Sequence, residues 1–206
     1  MRMTAKLPGA LAVIALCAFP ALGADPAPTP IEIDTLTRID SLPTRDEVVI
    51  ATGTVGRLRT LAMTSSVDFG LQLRAIRALA HFCTPDCRPD PTTAQTHPAH
   101  AVVLEVIASV GSDRSGRGIL RLRAGIEALG LIRSGMDSDV ELLIAFLNDA
   151  SRDIRASTAR ALRDTCSPLA IVPLRTRYNA EPATQLQVRL AISAALRDLN
   201  QCAVAH

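Results

Sequence analysis

One segment constrains this chain more than any other: Leu147-Asn148-Asp149-Ala150-Ser151-Arg152-Asp153-Ile154-Arg155-Ala156-Ser157-Thr158-Ala159-Arg160-Ala161-Leu162, part of which returns downstream. Ile154, Thr158, Ala161, Leu162 and Thr165 are matched in turn, at one constant interval, by Val188, Ile192, Ala195, Leu196 and Leu199. The offsets within each set trace one face of an α-helix. The polar pairs Arg155/Arg189, Arg163/Arg197 and Asp164/Asp198 keep the same interval. A pattern recurring at a fixed period of this length implies stacked supersecondary units, none of which closes a core alone.

The period extends upstream. Ala128-Leu129 precedes Ala161-Leu162 by almost the same interval, whereas Ala78-Leu79 precedes Ala128-Leu129 by one half as long again. The surplus coincides with residues 84–97, rich in Pro, Thr and Asp, which reads as a loop inserted between two repeats. Each of these four helices has an expected partner before it, at 55–63, 101–110, 139–147 and 169–178. Ser138, Ser151 and Ser167 are expected to start helices, their hydroxyls capping free backbone N–H groups. Pro168 suits a first turn, where no N–H is needed. Residues 31–42 and 45–52 read as N-terminal helices shielding the open end of the stack. Abundant Ala and Leu, with few β-branched or aromatic clusters, favour helix throughout. The expected fold is all-α: an α-solenoid of about four helical-hairpin repeats over 31–202, with an N-terminal capping helix and a tail at 203–206.

The start of the chain reads as an address. Arg2 and Lys6 precede an apolar run at 11–22, and Ala21-Leu22-Gly23 offers small residues at alternate positions. This is the pattern of a secretory signal at 1–23, cleaved near Gly23 or Ala24. The run is short for a transmembrane helix, and Leu16 before Cys17 does not suit lipidation. Residues 24–30 form a Pro-rich, extended lead-in. Without the signal, 20 Arg remain against 20 acidic residues, so the mature chain is formally neutral. It contains no Lys and no Trp. That balance lacks the basic footprint of a nucleic-acid binder, and no membrane insertion is expected after cleavage.

The segment 147–155, followed by Ala159 and Ala161-Leu162, resembles the HEAT or HEAT-like repeats of α-solenoids. These carry an acidic turn, a branched aliphatic-Arg pair and Ala-Leu on the second helix. Ala170-Ile171-Val172-Pro173-Leu174 is similar to the first helix of such a repeat, its Pro included. The likeness is strongest over 138–200 and extends upstream to about 101; Leu122-Arg123 and Leu73-Arg74 sit off register from their Ala-Leu pairs. The resemblance implies a binding scaffold without catalysis or cofactor, whose second helices line a groove. On that reading Arg74, Arg77, Arg123, Glu127, Arg155, Arg160 and Arg189 face a protein partner. The competing reading has these arginines paired locally with turn residues such as Asp149 and Asp153.

Four cysteines follow the signal: Cys83, Cys87, Cys166 and Cys202. An even number in an exported chain suggests disulfides. Cys166 and Cys202 lie at equivalent ends of neighbouring repeats, and a pairing there would pin the last repeat. Cys83–Cys87 would then close the turn at Thr84-Pro85-Asp86. The alternative is a metal-binding or redox-sensing module, because His81, Cys83, Cys87, His97 and His100 are all soft-metal ligand types in one region. His81 also reads as a helix-end residue, and His206 is terminal. No Gly-x-Ser-x-Gly, His-Glu-x-x-His or phosphate-loop pattern occurs. Gly116-Arg117-Gly118 reads as the turn beginning a helix, with Asp113 and Arg114 as ordinary loop charges. The expected function is a periplasmic or secreted scaffold for a protein partner, with a regulatory subunit of an envelope enzyme as a variant of the same reading.

Overall fold

The computed structural model describes residues 27–38, 41, 43–83, 87 and 96–202. The signal segment, most of the inserted loop and the tail at 203–206 lie outside the described residues, which contain ten α-helices and no strand. In chain order the helices are α1 (Pro30–Thr37), α2 (Arg45–Thr52), α3 (Val55–Met63), α4 (Phe69–Ala78), α5 (Pro98–Val110), α6 (Gly116–Ile132), α7 (Asp137–Phe146), α8 (Arg152–Asp164), α9 (Ile171–Ala180) and α10 (Leu186–Cys202). Short 3-10 turns at Leu79–Phe82 and Pro168–Ala170 extend α4 and lead into α9. The protein is all-helical, as the composition and periodicity predict.

Helix ends follow local chemistry. Thr29 and Thr44 each form a reciprocal capping box with Glu32 and Glu47, three residues on. α1 ends at Thr37, short of the expected 42, because Arg38 turns to extended ψ and its guanidinium reaches Glu47 on α2. Two of the three expected serine caps are corrected. Ser138 lies inside α7, whose N-cap is Met136, and Ser151 occupies the N-cap of α8 without using its hydroxyl. At that second position Asp149 instead accepts the Ser151 backbone N–H. Ser167 does cap its 3-10 turn, with Pro168 in the first position.

The core is a row of second helices. α4 packs on α6, α6 on α8 and α8 on α10, while α3, α5, α7 and α9 each lie against the helix that follows. Ala78, Ala128, Ala161 and Ala195 are all buried. Small residues at these equivalent positions let successive helix backbones come close. One close approach is at Gly130 of α6, where an added Cβ would stand 2.6 Å from the Ala161 Cα of α8. Leu129, Leu162, Ile126, Ile154, Val188 and Ile192 fill the seams between the close contacts. α1 covers the first end, packing on α2 and α4, and is fixed there by Glu32, which receives Arg57 of α3 at 2.6 Å.

α6 and α8 end in related ways. Arg133 and Cys166 are the non-glycine residues with positive φ among the described residues. They are spaced as the Ala128-Leu129 and Ala161-Leu162 pairs are. Arg133 directly follows α6 and Cys166 is the second residue after α8, beyond the right-handed Thr165, so a left-handed residue stands near the end of each helix at that spacing.

Candidate functional site

Four of the seven predicted binding residues converge. Glu127, on α6, accepts from Arg77 of α4 at 2.8 Å and from Arg123, one turn earlier on α6, at 2.7 Å. Ser157 of α8 donates to the same carboxylate at 3.3 Å and accepts from Arg160 at 3.4 Å. The result is a polar stripe crossing α4, α6 and α8, with Arg77 and Arg123 about two-fifths exposed. Burial pushes the Glu127 carboxyl up, but the hydrogen bond from Arg123 and the charges of both arginines outweigh it and hold the group below the ordinary range.

Beside the stripe lies a cavity of about 420 Å³ bordered by Leu36, Pro43, Arg74, Arg77, His81 and Leu131. Leu131 is 52% exposed although it sits on a helix whose neighbouring positions are buried. Arg74 forms no ion pair among the described residues. An apolar hollow flanked by a cation with no counter-charge among the described residues suits a ligand group that is apolar at one end and anionic at the other. Sequence reasoning found Arg74 and Arg77 but missed Leu131, because a Leu beside Ile132 in a helical pattern reads as core.

Arg155 and Arg189 are engaged within the chain. Arg155 is 7% exposed, and its guanidinium bridges Glu181 at 2.5 Å and the Asp149 and Ala150 carbonyls at 2.9 and 3.0 Å. Arg177 also donates to Glu181, at the Oε2 that it shares with Arg155. Arg189 donates to the Tyr178 and Glu181 carbonyls and stacks on the Tyr178 ring at 4.2 Å. Both residues therefore join the turn after α9 to the helices around it. Desolvation raises the Glu181 carboxyl, yet the hydrogen bonds from Arg155 and Arg177 bring it below its ordinary value. Arg114 is likewise more than a loop charge: it pairs with Asp149 at 2.8 Å, linking the α5–α6 turn to the α7–α8 turn. Of the two acidic turn residues expected as arginine partners, Asp149 has this role, whereas Asp153 lies 3.8 Å from its neighbour Arg152.

The cysteines pair as Cys83–Cys87 and Cys166–Cys202, with Cα atoms 4.8 and 5.7 Å apart, distances ordinary for disulfides. The second pair joins the second residue after α8 to the last residue of α10. The five soft-ligand residues divide. Cys83, Cys87 and His97 hold their ligand atoms within 4.8 Å of one another. His97 Nδ1 lies 3.9 Å from Cys83 Sγ and accepts the Ala99 N–H at the start of α5. Desolvation, with the nearby His100, lowers the His97 pKa and favours the neutral ring. His81 turns to the cavity beside Arg74; burial lowers its pKa as well.

His100 is committed elsewhere. It is 1% exposed on α5, and its Nε2 meets Asp139 Oδ2 of α7 at 2.8 Å. Ser134 donates to that same oxygen and accepts the Met136 N–H. Ser134 thus contacts the carboxylate and not the imidazole, an order different from the Ser-His-Asp relay of nucleophilic catalysis. Ser134, Asp139, Arg133 and Cys166 border a second cavity of about 430 Å³ between the ends of α6 and α8.

Comparison with family models and with curated proteins gives no match. Among the described residues no helix is long and apolar enough to cross a membrane.

Proposed function

We propose that the protein is an exported, non-catalytic HEAT-like scaffold that binds a protein partner on the face crossed by α4, α6 and α8. The row of packed second helices and the left-handed residues near the ends of α6 and α8, one period apart, support the repeat reading. Two cysteine pairs at disulfide distance are consistent with an oxidising compartment, and the apolar run at 11–22 provides a route to it. The observation that carries the binding face is Arg74, unpaired among the described residues, beside the exposed Leu131 and next to the Arg77–Glu127–Arg123 stripe. A partner fitting that surface presents an apolar side chain next to a carboxylate. If the partner is an enzyme, this same surface makes the protein its regulatory subunit.

The test is differential capture from an envelope fraction, comparing the wild-type chain with Arg74→Glu and Leu131→Asp. A protein retained by the wild type and lost from both variants, at unchanged helicity, supports the face. Identical capture by all three removes it. Recovery of a chain with residues 1–23 intact from the cytosol removes the export reading.

A further inference from the structure

We infer that Cys83, Cys87 and His97 form a redox-gated site for Cu(I), closed when the two cysteines are joined and open when they are reduced. The inference does not depend on a protein partner. It rests on three soft ligand atoms drawn from two separate segments, the turn after α4 and the start of α5, that meet within 4.8 Å. Thiolate and imidazole ligands lie about 2 to 2.3 Å from a bound metal, so two donors on one ion stand at most about 4.6 Å apart. The widest separation in the group lies close to that limit, and the two sulfurs must move apart once their bond is broken.

The ligand set selects the ion. Thiolates favour soft metals such as Cu(I) or zinc. Structural zinc takes four protein ligands and catalytic zinc three plus a water. Among the described residues this group has three, and the two cysteines are 5% and 1% exposed, which leaves little access for water. His100, whose Nε2 meets Asp139, is not among the three grouped ligands. Two sulfurs and one nitrogen in a largely dry setting suit a low-coordinate monovalent ion.

Opening the site takes two electrons and two protons. A dithiol donor attacks the Cys83–Cys87 bond, passes through a mixed disulfide and leaves as its own disulfide, with both thiols of this chain restored. Cu(I) then forms two sulfur bonds, displaces the two thiol protons to water, and takes the His97 nitrogen as third ligand. If that nitrogen is Nδ1, the Ala99 N–H loses its acceptor and the first turn of α5 loosens.

The test is competition between the chain and the coloured Cu(I)–bicinchoninate complex. The reduced full-length chain is expected to withdraw one Cu(I) per molecule, and the oxidised chain none. Cys83→Ser/Cys87→Ser should withdraw none while keeping wild-type helicity, and His97→Ala should bind at least tenfold more weakly. Cys166→Ser/Cys202→Ser should match the wild type, which separates this site from the other cysteine pair. If that variant loses helicity, the Cys83→Ser/Cys87→Ser comparison decides. A reduced chain that leaves the colour unchanged overturns the site, as does equal uptake by Cys83→Ser/Cys87→Ser. Wild-type affinity in His97→Ala removes the third ligand, and preferential uptake of Zn(II) over Cu(I) in direct competition overturns the choice of ion.

Discussion

Arg155 and Arg123 both belong to second helices, both contact a glutamate, and the repeat resemblance gives both the same role. The structure separates them. Arg155 reaches across 26 residues of chain to Glu181, whose side chain is fully buried, and also holds two backbone carbonyls. Arg123 meets Glu127 one turn along its own helix and stays 38% exposed. The difference lies in what receives the guanidinium. Where the following turn folds back onto the helix, arginine becomes a strut between units. Where the neighbour is another second helix, the charge remains on a face open to a ligand.

The sharpest way to break that comparison is Arg155→Ala. It leaves the buried Glu181 with Arg177 alone and orphans two carbonyls, a loss of about 3 kcal/mol by analogy with other broken buried pairs. Urea unfolding at pH 7 measures it, and a change smaller than that for Arg123→Ala would refute the strut. Acid adds a second readout. The Glu181 carboxyl is depressed in the folded chain below its ordinary value of 4.5, so its contribution is complete above that pH. It is lost as pH falls through the folded value. The wild type should therefore lose stability on acidification below about pH 4.5, and Arg155→Ala should show a shallower dependence over the same range.

Gly130→Ala perturbs the outer stripe without touching a charge. The new Cβ would meet Ala161 backbone atoms at 2.6 and 2.9 Å, so α6 must move away from α8. Such overpacking costs about 2 kcal/mol and draws Glu127 away from Ser157, while the Arg155–Glu181 strut lies beyond the contact. Thermal unfolding reports the first effect. Retention of wild-type partner binding would show that the α6–α8 spacing does not set the binding face.

Legibility in the sequence follows the range of the interaction. Helix faces and the Ala-Leu positions are written locally in period and composition, and α4, α6, α8 and α10 carry those pairs where the signals place them. The cysteine pairing is accessible because the repeat converts sequence spacing into neighbouring helix ends. The fate of each arginine is not. Glu181 lies in a turn that carries no periodic signal, and nothing local distinguishes Arg155, which it receives, from Arg123. Asp139 is similarly hidden: in the first turn of α7 it resembles an ordinary helix-start acid, yet it receives His100, 39 residues earlier in the chain. Long-range polar partners are set by the packing of whole helices, which a repeat motif does not specify.

The smallest effect on stability carries the most information on function. Arg123→Ala removes a partly exposed pair within one helix, and such pairs contribute at most about 1 kcal/mol. Glu127 keeps Arg77 and Ser157 as donors, so the carboxylate is not left bare. The melting temperature should therefore move by only a few degrees. Partner capture is a different quantity: if the stripe meets a ligand, loss of this cation weakens retention and makes the remainder less sensitive to salt, since fewer charges steer the encounter. A variant that folds and binds as the wild type does at both low and high salt would make Arg123 another internal pair, and would confine the binding face to Arg74, Leu131 and the cavity between them.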